Sequence, residues 1–164
     1  ESIQAGIDLA TEKGIPIIEL SEGDTIELSK NTLLTVHAPV ENSDVSGNEL
    51  SMVLDIAYFD SSTLFTGDLT VKCEPDDLPD IDLLKVPHHG SKNASSMEFL
   101  QNTTPTVSVI PVGDNNYGHP AEEALQRLEA IGTRIYRTDQ CGAVTVYFDR
   151  TGSMRTETYL TREE

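Results

Sequence analysis

The feature that most constrains the fold is a nearly continuous apolar run at residues 106–112, TVSVIPV, with a helix and another strand after it. Such runs are typical of strands that are buried on both faces of a sheet. The segment 119–132, HPAEEALQRLEAIG, predicts a helix, with Pro120 near its first turn and Gly132 as its stop. RIYRTD, at 134–139, then predicts a strand. This order indicates a βαβ unit in the later part of the chain.

The rest of the chain predicts a mixed α/β fold with hairpins early in the sequence. Nothing repeats at a fixed period, and no linker separates two parts, so we expect one domain, complete or partial, over residues 1–164. The predicted elements are a helix at 2–14, strands at 15–20, 24–29 and 32–39, a polar loop at 40–50, a hairpin of strands at 51–60 and 62–68, a strand at 81–87, a short helix at 96–103, and strands at 143–149 and 154–161.

The length of 164 residues is enough to bury a core. No run reaches the roughly 18 apolar residues that a membrane-spanning helix needs, so we expect this segment to be soluble and to make no membrane contact. The chain begins with Glu1 rather than Met, inside a predicted helix, and has no signal peptide. We therefore expect the natural chain to continue upstream.

The net charge of -17 argues against a nucleic-acid-binding surface, because such surfaces carry clustered Lys and Arg and none is present. If the protein acts on phosphate groups, a bound metal ion must supply the local positive charge. The alternative is that the acidic charge only keeps the protein soluble. The two cysteines, Cys73 and Cys141, form no CxxC pair. We expect them to be free and structural; a disulfide in an exported protein is the alternative.

Ligand-capable residues lie beside several predicted strands: NELS precedes one, and TGD, PHHGS and YGHP follow others. Loops at strand ends are where sites are built in sheets covered by helices. Asp68, either His88 or His89, and His119 would give a carboxylate and imidazole set suited to a metal ion. Each residue alone has a simpler interpretation, as part of a turn or a helix start. His37 lies within a strand and is interpreted as a packing or edge residue.

The order of these motifs resembles the metallo-β-lactamase superfamily, and more narrowly the soluble domain of ComEC-type DNA-internalisation proteins of natural competence. The resemblance rests on NELSMVL, LFTGD, LLKVPHHGS, SMEFLQNTTPTVSVIPVG, NNYGHP and IYRTDQCGAV, between about residues 48 and 146. It implies a metallo-β-lactamase-like αββα four-layer sandwich, of which this chain represents mainly the C-terminal half.

The resemblance also implies metal ligands. Asp68 stands where the superfamily places the Asp that bridges two metal ions, and His119 stands where it places the last metal ligand. The cofactors implied are Zn²⁺ or Mn²⁺, in a two-metal site that is incomplete in this chain. Asn48 replaces a metal-binding His, so one metal subsite should be altered.

The PHHGS motif falls where related phosphodiesterases and nucleases place a His near the scissile phosphate. The resemblance therefore makes His88 and His89 candidate catalytic residues, which contact phosphate or donate a proton to the leaving oxygen. Ser91, in the same motif, is a candidate substrate-binding residue.

The superfamily's main motif, HxHxDH, is absent from these residues. In the family it lies upstream, so the chain represents either the later half of a sandwich or a domain whose site has degenerated. We expect the segment to be inactive alone and part of a metal-dependent phosphodiesterase or nuclease acting on DNA. The alternatives are a non-catalytic interaction module and a hydrolase of small phosphoesters.

Two expectations concern the parent protein and self-association. The resemblance implies a membrane-anchored parent that carries this domain on the extracellular side. A half-sandwich would leave an apolar sheet surface uncovered, and such surfaces drive association. We therefore expect a homodimer or an arrangement with exchanged elements.

Overall fold

A computed structural model describes residues 2–39 and 47–160. The predicted polar loop at 40–50 lies outside these residues, except for its last four, which form a 3-10 turn, Gly47–Leu50. The helices are α1 (Ser2–Glu12), α2 (Met97–Thr103), α3 (Glu122–Ala130) and α4 (Thr138–Cys141). The strands are β1 (Thr25–Ser29), β2 (Thr32–Ala38), β3 (Val53–Tyr58), β4 (Ser61–Phe65), β5 (Leu83–Lys85), β6 (Val107–Ile110), β7 (Arg134–Arg137), β8 (Val144–Phe148) and β9 (Met154–Thr158).

Seven of these strands form one mixed sheet in the order β1-β2-β3-β4-β5-β6-β7. The strands β1 to β4 are antiparallel, and β4 to β7 are parallel. The predicted hairpin is confirmed, with Tyr58 of β3 paired to Ser61 of β4. The helices α2 and α3 connect the parallel strands β5, β6 and β7, which confirms the βαβ prediction. The strands β8 and β9 form a separate antiparallel pair.

The core lies on the parallel part of the sheet. Val107 and Ile110 of β6 are fully buried, as the apolar run predicts. Leu100 of α2 and Leu128 of α3 join the same cluster with Leu84 of β5. A fully buried Leu or Val side chain contributes about 1.5–3 kcal/mol relative to an exposed one. This packing fixes the ends of β4, β5 and β6, and those ends carry the polar motifs.

The predicted strand at 15–20 is wrong, because this segment pairs with no strand in the described structure. Its apolar side chains are largely exposed, with Ile15 at 55 % and Ile18 at 74 %. Among the described residues the outer edge of β1 stays unpaired, so an edge is available. Pro16 has no backbone NH to donate to a neighbouring strand, which disfavours pairing of this segment. The helix α1 forms as predicted, but its apolar residues Ile3 and Leu9 are also at least half exposed.

Cys73 and Cys141 are free, as predicted, and Cys141 is buried at the end of α4. Within the described ranges, no helix is long and apolar enough to cross a membrane.

Candidate functional site

The site lies where the parallel strands β4, β5 and β6 end. Asp68 follows β4, His88 and His89 lie in the turn Pro87–Gly90 after β5, and His119 ends the loop that follows β6. Carboxyl ends of adjacent parallel strands share one edge of a sheet, so the loops that leave them are neighbours. Residues that are up to 51 positions apart in the sequence therefore meet in one place.

The structure brings these four predicted side chains together. His89 Nε2 lies 3.5 Å from Asp68 Oδ1. The rings of His88 and His119 meet edge to face, with centroids 5.6 Å apart. The backbone NH of His88 donates to the carbonyl of Gly67 at 3.2 Å, which ties the histidine turn to the Gly-Asp turn. The cluster therefore combines a carboxylate with three imidazoles.

Asn48 also reaches the cluster. Its Nδ2 lies 3.2 Å from His88 Nε2. Ser51, three residues further on, accepts a hydrogen bond through Oγ from the backbone NH of Asp68 at 3.0 Å. The NELS segment thus lies against both the histidine turn and the Gly-Asp turn. That Asn48 takes the place of a metal-binding His stays a prediction.

The histidine turn has an unusual backbone. His88 and His89 have φ values of 48° and 54°, in the left-handed region that side chains rarely adopt. Each such residue costs on the order of 1–3 kcal/mol, and such strain clusters at functional sites. The turn is held by a hydrogen bond of 2.9 Å from the NH of Ser91 to the carbonyl of His88. With this backbone His88 lies against Asn48 and His119, while His89 lies against Asp68.

The tautomer of His89 follows from its contacts. Nδ1 lies 2.6 Å from the carbonyl oxygen of Pro111. A carbonyl only accepts, so Nδ1 carries the proton. Nε2 then faces the Asp68 carboxylate. It either holds a second proton and forms an ion pair, or it presents a lone pair toward a cation at that position.

Lys85 is a site residue that sequence reasoning missed. Its Nζ donates to the carbonyl of Gly67 and lies 3.9 Å from Asp68 Oδ1. Burial lowers the pKa of Lys85 below its usual value, and the Asp68 carboxylate offsets part of this shift. The only signal in the sequence was a charged residue in the otherwise apolar LLKVP strand. Lys85 therefore places a positive charge next to the predicted metal-bridging carboxylate.

The surroundings of His119 favour the neutral form of its imidazole. Burial is the main cause that holds its pKa below the ordinary value, and the charges that His88 and His89 can carry act in the same direction. A backbone hydrogen bond of Gly118 and the Asp68 carboxylate oppose this shift. Nδ1 of His119 and Nδ1 of His88 are both buried and have no hydrogen-bond partner. Neutral imidazole nitrogens without partners are the form that binds metal ions.

Ser91 is buried directly after the histidine turn. Its Oγ accepts a hydrogen bond of 3.3 Å from the NH of Asn93. It lines a cavity of about 550 Å³ together with His88, Lys92 and His119. Ser91 is therefore near the histidines, and its substrate-binding role stays a prediction.

The donors fit a divalent metal ion in kind but not in number. Asp68 and His119 offer a carboxylate oxygen and an imidazole nitrogen, which are common zinc ligands. Across residues 2–39 and 47–160, however, no three His, Cys, Asp or Glu side chains converge closely enough to hold a metal ion. These residues can thus supply part of a ligand set, and their assignment as metal ligands stays a prediction.

Relatives of known name place the chain among competence proteins. ComE operon protein 3 of Bacillus subtilis (strain 168) is 36% identical over 154 residues, which are 90% of this chain and 20% of that protein. Competence protein ComA of Neisseria gonorrhoeae is 33% identical over 121 residues, 70% of this chain and 18% of that protein. Recombination protein 2 of Haemophilus influenzae is 32% identical over 120 residues, 71% of this chain and 15% of that protein. The chain thus spans a fifth or less of the length of these relatives.

Solved structures support the fold. A candidate metal-dependent hydrolase from Parabacteroides distasonis ATCC 8503 matches with a TM-score of 0.53 and 17% identity, over 77% of this chain and 60% of that chain. CmlA, a diiron β-hydroxylase from Streptomyces venezuelae, matches with a TM-score of 0.54 and 12% identity, over 92% of this chain and 36% of that chain. Both have metallo-β-lactamase-type folds, which confirms the predicted fold class.

No protein-family model matches the sequence. The relatives nevertheless cover most of this chain, and the shared fold agrees with the motif order at the strand ends. The chain therefore belongs to the ComEC-type competence proteins, as a segment with a metallo-β-lactamase-like fold.

Proposed function

We propose that this segment forms part of a metal-dependent phosphodiesterase that acts on DNA during uptake in natural competence. The observation that carries the proposal is the meeting of Asp68, His88, His89 and His119 at one edge of the sheet. Membership of the competence-protein family supports DNA as the substrate. We further propose that the segment belongs to a longer, membrane-anchored protein and lies on the extracellular side.

Asp68 and His119 would hold the metal ions, which we propose to be Zn²⁺ or Mn²⁺. When bound, such ions supply a nucleophilic water at neutral pH and positive charge for the phosphate. The remaining ligands would come from outside the described residues. Asn48 lies beside His88 and offers only an amide, so the subsite it faces should hold its ion loosely.

The chain's own residues would position the phosphate and move a proton. Lys85 fixes the Asp68 carboxylate from the strand side, and His89 is held by the carbonyl of Pro111. His88 lines the same cavity as Ser91 and Lys92. Lys92 and Ser91 would contact a phosphate oxygen there, with the metal ion offsetting the charge of the neighbouring Glu122 and Glu123, and His88 would donate a proton to the leaving oxygen.

The net charge of the chain supports a metal-dependent site. With a net charge of -17, the chain repels a polyanion over most of its surface. The basic side chains near the site, Lys85 and Lys92, are too few to hold a long backbone by charge alone. The proposal therefore predicts that substrate binding depends on the divalent ion.

The test is hydrolysis of linear DNA by the longer protein that contains this segment, with Mn²⁺ or Zn²⁺ present. We expect Asp68→Asn to lower the rate by at least about 100-fold, because outer partners of metal ligands alone are worth about 10–100-fold. His37→Gln, in β2, is the matched control and should retain activity. Absence of metal-dependent hydrolysis in the longer protein would contradict the nuclease proposal. Strong hydrolysis by these 164 residues alone would contradict the need for further ligands.

A non-catalytic interaction module is the second candidate. It is favoured by the incomplete ligand set of the described residues and by the direct approach of His89 to Asp68. Metal affinity separates the two candidates, since a remnant site would not bind Zn²⁺ or Mn²⁺. A third candidate, hydrolysis of small phosphoesters, is favoured by the net charge of -17. Competition between short and long substrates distinguishes it from DNA hydrolysis.

A further inference from the structure

We propose that Tyr117 is the stacking platform of a nucleobase subsite beside the histidine cluster, so that the site takes an unpaired nucleotide. The inference rests on the proposed phosphodiesterase function and names which form of nucleic acid that site would accept. Tyr117 is 85 % exposed, yet its ring is stacked on His119, with centroids 6.2 Å apart and planes inclined by 27°.

The loop that carries Tyr117 is fastened in place. Asn115 Nδ2 donates to the carbonyls of Gly113 and His119 at 2.9 and 2.8 Å. Asn115 Oδ1 accepts from the backbone NH groups of Tyr117 and His119 at 3.0 and 3.1 Å. One side chain therefore holds the backbone at both Tyr117 and His119. The ring of Tyr117 is thus exposed to solvent on a loop whose backbone is held by hydrogen bonds.

Tyr117 and His119 line two neighbouring cavities and form a ridge of aromatic side chains between an apolar cavity and a polar one. One cavity, of about 470 Å³, is walled by Pro111 and Val112, with Thr138 at its side. The other, of about 550 Å³, is polar and is lined by Lys92, Glu122 and Glu123. Both volumes fall in the range of about 300–1,000 Å³ that small-molecule sites occupy.

A nucleotide matches this division. Its base suits the apolar cavity, and its phosphate would lie in the other cavity beside Ser91, Lys92 and His88. Because Glu122 and Glu123 also line that second cavity, the phosphate there would depend on the divalent ion for net attraction. Stacking on an aromatic ring does not depend on a basic surface, so it remains available to a chain with a net charge of -17. A base must leave its duplex before it can stack on a side chain, so the subsite selects single-stranded DNA.

The test measures binding of two probes to the longer protein that contains this segment, with Mn²⁺ present: a single-stranded oligothymidylate, and an oligomer of the same length built from tetrahydrofuran abasic units. Wild-type protein should bind the first probe at least about tenfold more tightly, as expected for aromatic stacking of a base. Tyr117→Ala should abolish this preference without changing affinity for the abasic probe. Tyr117→Phe should retain the preference, because stacking needs the ring and not the hydroxyl.

The matched control is Tyr159→Ala, since Tyr159 is 82 % exposed and lies outside both cavities. It should leave both affinities unchanged. Equal binding of the two probes by wild-type protein, or an unchanged preference in Tyr117→Ala, would overturn the proposal. Cleavage of both probes by the longer protein, with no base preference, would leave the phosphodiesterase function standing and refute the subsite. A Tyr117-dependent preference without cleavage would support the subsite and refute the phosphodiesterase.

Discussion

At the scale of single residues, Gly90 lies at the contact between the histidine turn and the loop that carries His119. Its φ is +77°, and a Cβ at this position would lie 2.7 Å from Cβ of Pro120. The carbonyl of Gly90 also accepts a hydrogen bond from the NH of Ala121 at 2.8 Å. The histidine turn and the loop that carries His119 therefore touch at a point where no side chain fits.

Gly90→Ala should lower the free energy of unfolding by about 1–3 kcal/mol or more, because it adds overpacking to the cost of a positive φ. Gly132→Ala is the control, since Gly132 has a φ of +74° and open space around its Cβ. The free energies of unfolding of the two variants, measured by chemical denaturation, distinguish the steric clash with Pro120 from the cost of a positive φ. Equal losses in the two variants would show that the contact with Pro120 does not matter.

At the scale of elements, the turn between β8 and β9 depends on one carboxylate. Asp149 Oδ1 accepts hydrogen bonds from the backbone NH and Oγ1 of Thr151 at 2.7 and 2.6 Å, and from the NH of Ser153 at 3.1 Å. These bonds, led by the Thr151 hydroxyl, hold the pKa of Asp149 below its ordinary value of 3.8. The ionised form therefore stabilises the folded hairpin.

A depressed folded-state pKa gives stability that is present above the unfolded pKa and is lost as the pH falls through the folded value. Asp149→Asn should therefore be less stable than wild type at neutral pH, and the difference should shrink in acid below pH 3.8. Thermal unfolding across this pH range measures the effect. Asp77→Asn removes the same charge from an exposed loop and serves as the control. A constant difference at all pH values would contradict the role of the Asp149 carboxylate.

The elements also show what the sequence could and could not predict. The strands β5 and β6 were predictable because short, continuous apolar runs are typical of buried strands. The polar residues directly after these strands indicated where the site lies. The strand at 15–20 failed because its apolar pattern was given more weight than Pro16, which cannot donate a backbone hydrogen bond to a neighbouring strand. Lys85 was missed because its contact with Asp68 depends on the pairing of β5 with β4, which no local pattern contains. The left-handed backbone of His88 and His89 was missed for the same reason, since tertiary contacts impose it.

At the scale of the whole molecule, exposed apolar side chains favour self-association. Ile3, Ile15 and Ile18 are 79, 55 and 74 % exposed and belong to α1 and the segment that follows it. Clustered apolar exposure of this kind marks interaction surfaces. The net charge of -17 opposes association between copies, and salt screens that repulsion.

We therefore predict a dimer that strengthens with ionic strength, measured by light scattering after size-exclusion chromatography. Ile15→Glu combined with Ile18→Glu should restore the monomer, because both changes place charge on the exposed apolar segment. Tyr159→Glu adds charge at an equally exposed position elsewhere and should leave the dimer intact. A wild-type chain that is monomeric at both low and high salt would rule out this prediction.

The central claim is that Asp68 and the histidines at the strand ends form one metal-dependent site. The most direct measurement is the change in imidazole nitrogen chemical shifts on titration with Zn²⁺, because the chain has only four histidines and His37 is an internal control. We predict that the resonances of His119 and His89 shift, that His37 does not, and that Asp68→Asn weakens the response. Shifts in all four histidines, or in none, would contradict the account.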